Sequence, residues 1–134
     1  MLVSIDDNIV ETVWHKTFFE ARRSDLKAGD FEIMIDRLNT IIDEKIASGE
    51  DSIVTSYIPG KSWEGIEWES IYNDACHYEE EDSAKFFGLL VCYVMIHRVE
   101  EWRFMRQDDV AGMKYFKREK PQELSLEDLM KKFN

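Results

Sequence analysis

The sequence predicts a single α+β domain, with about four main helices around a buried central helix and a small antiparallel β-hairpin or sheet on one side. Three observations lead there. Phe86–Ile96 is an eleven-residue apolar run. A bilayer span takes about 20 such residues, so the run reads as a helix that is apolar all round and sits at the centre of a core. Two earlier stretches repeat apolar residues every three to four positions, which is one face of a helix. After Glu100, aromatic and basic residues alternate in two short runs separated by Asp108–Gly112, the mark of a hairpin.

The elements follow in order. Asp6, Asp7 and Asn8 supply N-cap chemistry, and Val10, Val13, Trp14, Phe18 and Ala21 recur at helical spacing, so a first helix is expected over 8–24. Gly29-Asp30 breaks it. Phe31, Met34, Ile35, Leu38, Ile42 and Ile46 form a second stripe ended by Ser48-Gly49, and the short connection suggests an antiparallel pair. Ile53, Val54 and Thr55 are β-branched, which favours a strand over 52–58. Pro59-Gly60 suits the centre of a type II turn. Trp68, Ile71, Tyr72, Ala75 and Cys76 then mark one face of a third helix, 66–78, with Glu67 and Glu69 in its first turn.

The run Glu79-Glu80-Glu81-Asp82 reads as a solvated loop, with Asp82 or Ser83 capping the central helix over 84–98. Gly88 would let another backbone approach that helix. Beyond it the pattern supports two arrangements, a hairpin of 102–107 with 113–118 or a central helix continued to Met105. Pro121 closes the hairpin, and Ser125 with Asp128 starts a short last helix over 126–133. Leu126, Leu129 and Phe133 would hold that helix to the body. The 134 residues suit one domain, long enough to bury roughly two-thirds of the unfolded surface without a metal or disulfide.

Charge narrows the function. Seventeen Lys and Arg face 28 Asp and Glu, a net charge of −11. Nucleic-acid binding needs clustered cations for phosphate, and docking on anionic lipid needs the same, so neither is expected. A protein partner with a basic surface is. Met1–Val10 holds Asp6 and Asp7 and no positive segment ahead of an apolar one, so no secretory signal is expected there. With only Cys76 and Cys92, the chain suits a reducing cytoplasm.

Catalytic chemistry finds little support. Cys76, His77, Cys92, His97 and His15 show no paired metal-ligand spacing, and two thiols on apolar helix faces read as buried small hydrophobes. Adjacent Cys76 and His77 point about 100° apart on a helix, a poor nucleophile–base pair. Glu64, Glu67 and Glu69 beside Trp63 and Trp68 have the ingredients of a glycosidase cleft, but Glu67 and Glu69 are explained as first-turn acids. The glycines are isolated, so no phosphate cradle is formed. No cofactor or metal is expected, and a binding protein is favoured over an enzyme.

Two surfaces remain as candidates. One is the aromatic region of Tyr57, Trp63, Trp68 and Tyr72 with Glu64 as its polar group; there Trp63 is either a lid folded on the core or an anchor for a partner. The other is the acidic run Glu79, Glu80, Glu81 and Asp82, a contact for a basic partner. Tyr57–Trp63, Phe86–Leu90 and Gly112–Phe116 resemble stretches of small uncharacterised bacterial proteins of accessory genomes and mobile gene cassettes. That resemblance covers about the second half of the chain and brings no functional residues with it. The expectation is a small acidic inhibitor, antitoxin-like or immunity-like interaction protein. The alternative is a small-molecule binder or small enzyme with its pocket at Tyr57, Trp63, Trp68 and Tyr72. Self-association through the basic hairpin is a further possibility, since residues 102–134 carry 8 basic and 6 acidic side chains in an otherwise acidic chain.

Overall fold

A computed structural model describes residues 1–55, 63, 68–106 and 113–118. The expected strand 56–58, the Pro59-Gly60 turn, Pro121 and the last helix 126–133 lie outside them. The fold is α+β: strands β1 (Leu2–Val3) and β2 (Ile9–Val10), helices α1 (Lys16–Ser24) and α2 (Asp30–Ala47), strand β3 (Ser52–Val54), a short π-helix (Ile71–Ala75), helix α3 (Glu80–His97), and strands β4 (Trp102–Arg106) and β5 (Met113–Lys117).

Helix α2 forms where its stripe requires. Gly29 enters it at φ 88°, a left-handed conformation that suits glycine, and Asp30 and Glu32 face the positive end of its dipole. Its C-terminus is a Schellman motif. Gly49 adopts φ 86°, its N–H donates to the Ile46 carbonyl at 3.0 Å, and the Glu50 N–H donates to the Lys45 carbonyl at 3.0 Å. Phe31, Met34, Leu38 and Ile42 are its buried face. Helices α1 and α2 meet through Phe19 and Phe31, edge to face at 6.3 Å. Phe19 also stacks on Phe86 of α3 at 5.3 Å, and the Arg23 guanidinium lies 3.7 Å from the Phe31 ring centre.

Helix α3 is the centre of the core, as its all-round apolarity requires. Phe86, Phe87, Leu89, Leu90, Val91, Cys92, Val94 and Met95 are all buried. A Cβ at Gly88 would meet nothing within 4 Å among the described residues, so none of them makes the close approach expected there. The helix ends at Arg98, whose extended ψ of 152° excludes continuation to Met105. The hairpin arrangement is the one adopted, with β4 antiparallel to β5 from Trp102↔Lys117 to Arg106↔Met113.

Three expectations need correction. The first helix does not begin at Asn8. Residues 2–10 fold instead as a small hairpin, its turn held by Ser4 N–H to the Asn8 carbonyl at 2.9 Å and Asp7 N–H to the Ser4 carbonyl at 3.0 Å. Val10, Val13 and Trp14 still pack on the core, so their spacing reported burial without reporting a helix. The acidic run is not a loop before Ala84, because α3 starts at Glu80 with Glu79 as its N-cap. The third helix is, over Ile71–Ala75, a π-helix: the Cys76 N–H reaches back five residues to the Ile71 carbonyl at 2.9 Å.

Among the described residues the sheet is larger than expected, with five strands in the order β2-β1-β4-β5-β3. Strand β1 runs parallel to β4, and every other pairing is antiparallel. Leu2, Trp102, Tyr115 and Ile53 belong to the hydrophobic core and define the helix-facing side. Alternation along each strand turns Val3, Arg103 and Phe116 to the outer side. There Arg103 donates to the Ser4 carbonyl at 2.6 Å, Asp7 at 2.7 Å and Glu101 at 3.4 Å. The Arg103 guanidinium holds the Asp7 carboxyl below the usual carboxylate range. At the end of α3, Arg98 donates to Glu100 at 2.6 Å, Asn39 at 2.8 Å and Asp43 at 2.5 Å, tying α2 to the helix–strand junction.

Candidate functional site

The joint between the π-helix and α3 brings several candidate residues together. Glu80, Glu81 and Asp82 occupy the first turn of α3, where the helix dipole favours acids. The buried Ser83 hydroxyl donates to the Glu79 carbonyl at 2.6 Å. Asp82 is engaged by Arg22 of α1 at 3.0 Å. Glu79, Glu80 and Glu81 are exposed, and among the described residues none of them enters an ion pair.

Beside them the backbone is strained. His77 and Tyr78 have φ of 50° and 67°, consecutive left-handed positions without a glycine. Each such residue costs about 1–2 kcal/mol relative to ordinary helix. Tyr78 is 66% exposed while its ring meets Tyr72 edge-on at 5.4 Å. His77 lies 3.7 Å from Asp25, and Lys27 lies 3.8 Å from Asp74. The result is an exposed aromatic ring adjoining three carboxylates that enter no ion pair among the described residues. Tyr78 was missed at the sequence level, although its place immediately before the acidic run was a visible signal.

The aromatic region resolves differently. Trp68 is buried and meets Phe87 of α3 edge-on at 5.2 Å, and Trp63 meets the same ring at 6.1 Å. Trp63 is partly buried and packs against the core, the lid arrangement. Tyr72 turns toward Tyr78. Tyr57, Glu64 and Glu67 lie outside the described residues, so of the proposed pocket only Trp63, Trp68 and Tyr72 are placed.

Both cysteines are free and buried. Burial pushes the Cys76 thiol up, outweighing a side-chain hydrogen bond with Ser83, and a protonated thiol is a poor nucleophile. Cys92 goes further. Burial raises it from 9.0 to about 11, outweighing hydrogen bonds with the Trp14 backbone and Tyr115. Burial also pushes the Tyr115 hydroxyl up. A folded state that holds this proton more tightly than the unfolded state keeps its full stability below pH 9 and loses it as pH rises toward 11. The loss assigned to Cys92 is on the order of 2 kcal/mol. Urea unfolding at neutral and strongly alkaline pH should show a smaller alkaline loss for Cys92→Ala than for the parent. Equal losses would refute the assignment.

Among the described residues, no group of three His, Cys, Asp or Glu side chains is placed to hold a metal ion, and no helix is long and apolar enough to cross a membrane. No family model, curated protein or solved structure matches this chain.

Proposed function

We propose that this chain is a cytoplasmic protein-interaction module, an inhibitor of antitoxin-like or immunity-like type, which presents the start of α3 to a partner with a basic surface. One observation carries the reading: Glu79, Glu80 and Glu81 stand exposed and, among the described residues, outside any ion pair, beside Tyr78, itself 66% exposed. Clustered charge of one sign accelerates encounter with an opposite surface. An exposed tyrosine supplies what charge alone lacks, a ring that gains contact area on desolvation, and tyrosine is enriched among residues that dominate interfaces. The overall charge of −11 reinforces the preference for a cationic partner.

The test is affinity capture from lysate of the source organism, comparing the parent chain with the triple variant Glu79→Lys, Glu80→Lys, Glu81→Lys. The parent should retain basic protein at about 50 mM salt and release it at about 500 mM, where the screening length falls below the spacing of surface charges. The variant should retain none of it. With a partner in hand, Tyr78→Ala should weaken binding by about 2 kcal/mol, roughly thirtyfold. Identical capture by parent and triple variant would overturn the reading.

A further inference from the structure

Met1 lies at the opposite end of α3 from the acidic turn. Its α-amino group donates to three main-chain carbonyls, those of Met95 at 3.2 Å, Glu100 at 2.9 Å and Arg98. The last four carbonyls of a helix find no N–H within it. Helix α3 makes its final bond from the Arg98 N–H to the Val94 carbonyl at 3.1 Å, so Met95 and Arg98 hold two of those four. A cation there also faces the negative end of the helix dipole. The Met1 carbonyl in turn accepts from the Trp102 N–H at 2.8 Å. One residue thus caps the central helix through its nitrogen and opens the parallel β1–β4 pairing through its oxygen.

We propose that the three carbonyls read the chemical state of the Met1 nitrogen, so that a free amine seats β1 beside β4 and an acyl group or a further residue on that nitrogen loosens it. The number of donors carries the inference. A free amine has three N–H bonds when charged and two when neutral. Burial lowers its pKa, with Glu100 acting against burial, and either form can serve more than one carbonyl. An acylated nitrogen is a planar, uncharged amide with a single N–H. A thioester acylating the neutral amine forms the C–N bond as its C–S bond breaks, and one amine proton ends on the thiol. Two of the three carbonyls then lose their donor, in a part-buried place where an unmade hydrogen bond is costly.

The effect concentrates at β1, which is two residues long and follows Met1 directly. Leu2 and Val3 are buried, so loosening β1 uncovers apolar surface. The turn that Arg103 holds through Ser4 and Asp7 lies just beyond them. Modification of one nitrogen is thereby a switch on the β1–β2 corner of the sheet, and it is independent of the surface at Glu79–Glu81.

Three forms of the full chain test this: one with a free Met1 amine, one with that amine acetylated, and one with a glycine ahead of Met1. Urea unfolding should show the unfolding equilibrium constant raised roughly tenfold or more in the second and third forms. The added glycine moves the charge without removing it, so a loss in both forms assigns the effect to the donors at this nitrogen. Hydrogen exchange should quicken more at the Trp102 N–H than at the N–H groups of α2. In the free form, the amine should react with an activated ester roughly tenfold more slowly than in the urea-unfolded chain. This last measurement needs no altered chain and holds even where an altered form does not fold. Equal unfolding and exchange in all three forms would overturn the proposal, as would a loss confined to the acetylated form. So would a loss of stability without faster exchange at Trp102, or an amine that reacts equally fast in the folded and unfolded chain.

Discussion

Replacing Trp102 by alanine is expected to destabilise the fold by about 3–5 kcal/mol. Trp102 is fully buried in β4, between β1 and β5. Its indole N–H donates to Glu100 at 3.1 Å, and its main-chain N–H donates to the Met1 carbonyl at 2.8 Å. Truncation opens a cavity where helix layer and sheet meet, and it leaves the Glu100 carboxylate one donor short. Small domains have about 5–15 kcal/mol of stability in total, so the variant should be close to unfolding at ambient temperature. Urea unfolding followed by circular dichroism measures the loss. Val99→Ala is the matching control, because Val99 is 96% exposed and should change stability by no more than about 0.5 kcal/mol. A loss below about 1 kcal/mol for Trp102→Ala would mean that β4 is not packed on this core.

Arg98→Met should cost about 2–3 kcal/mol, and it should alter the response to acid. The Arg98 side chain is 12% exposed and its partner Glu100 is 19% exposed, whereas Asp43 is 66% exposed and contributes less. Methionine keeps the aliphatic stem and removes the charge. Burial pushes the Glu100 carboxyl up, but hydrogen bonds from Arg98, its own backbone and Trp102 outweigh burial and hold it below the usual carboxylate range. A folded-state value below the unfolded one, which is about 4.3, means that the stabilisation is fully present above that pH. It is lost as pH falls through the folded value. In Arg98→Met the burial of Glu100 is no longer opposed by the guanidinium, so acid should cost the variant less stability than it costs the parent. Urea midpoints at about pH 6 and pH 3, on either side of the carboxylate range, decide the matter. Parallel losses in the two proteins would show that this ion pair does not couple folding to protonation.

Legibility in the sequence followed the length of each pattern. The central helix was plain because an eleven-residue apolar run has few other ways to be buried. The second helix and the 102–118 hairpin were plain because several turns or alternations agree. Strands β1 and β2 were not legible, because two residues carry no period. Val10, Val13 and Trp14 do share a destination in the core, and that shared destination is what mimicked a helix. The acidic run was mistaken for a loop because Glu79 makes no side-chain cap, so the start of α3 lacks the serine or aspartate signal that marks most helices. At the candidate site the acids were legible as charge. The left-handed pair His77-Tyr78 was not, since such a backbone normally announces itself by glycine or asparagine. Trp63 was open between lid and anchor because the choice turns on Phe87, which is distant in sequence.

Strand β1 has a consequence for the order in which the molecule assembles. Its neighbour is β4, so the Arg103–Ser4 bond joins positions 99 residues apart. Helices α1 and α2 can gather locally while the chain is still being made, but β1 has only β2 beside it until β4 has left the ribosome. At about 5–20 residues per second, β1 waits several seconds for its place beside β4, and closing so long a loop is entropically slow. Through that interval Leu2, Val3, Ile9 and Val10 form at most an isolated hairpin, which is marginal in water. Strand β1 therefore joins β4 late, and its apolar residues need shielding until it does.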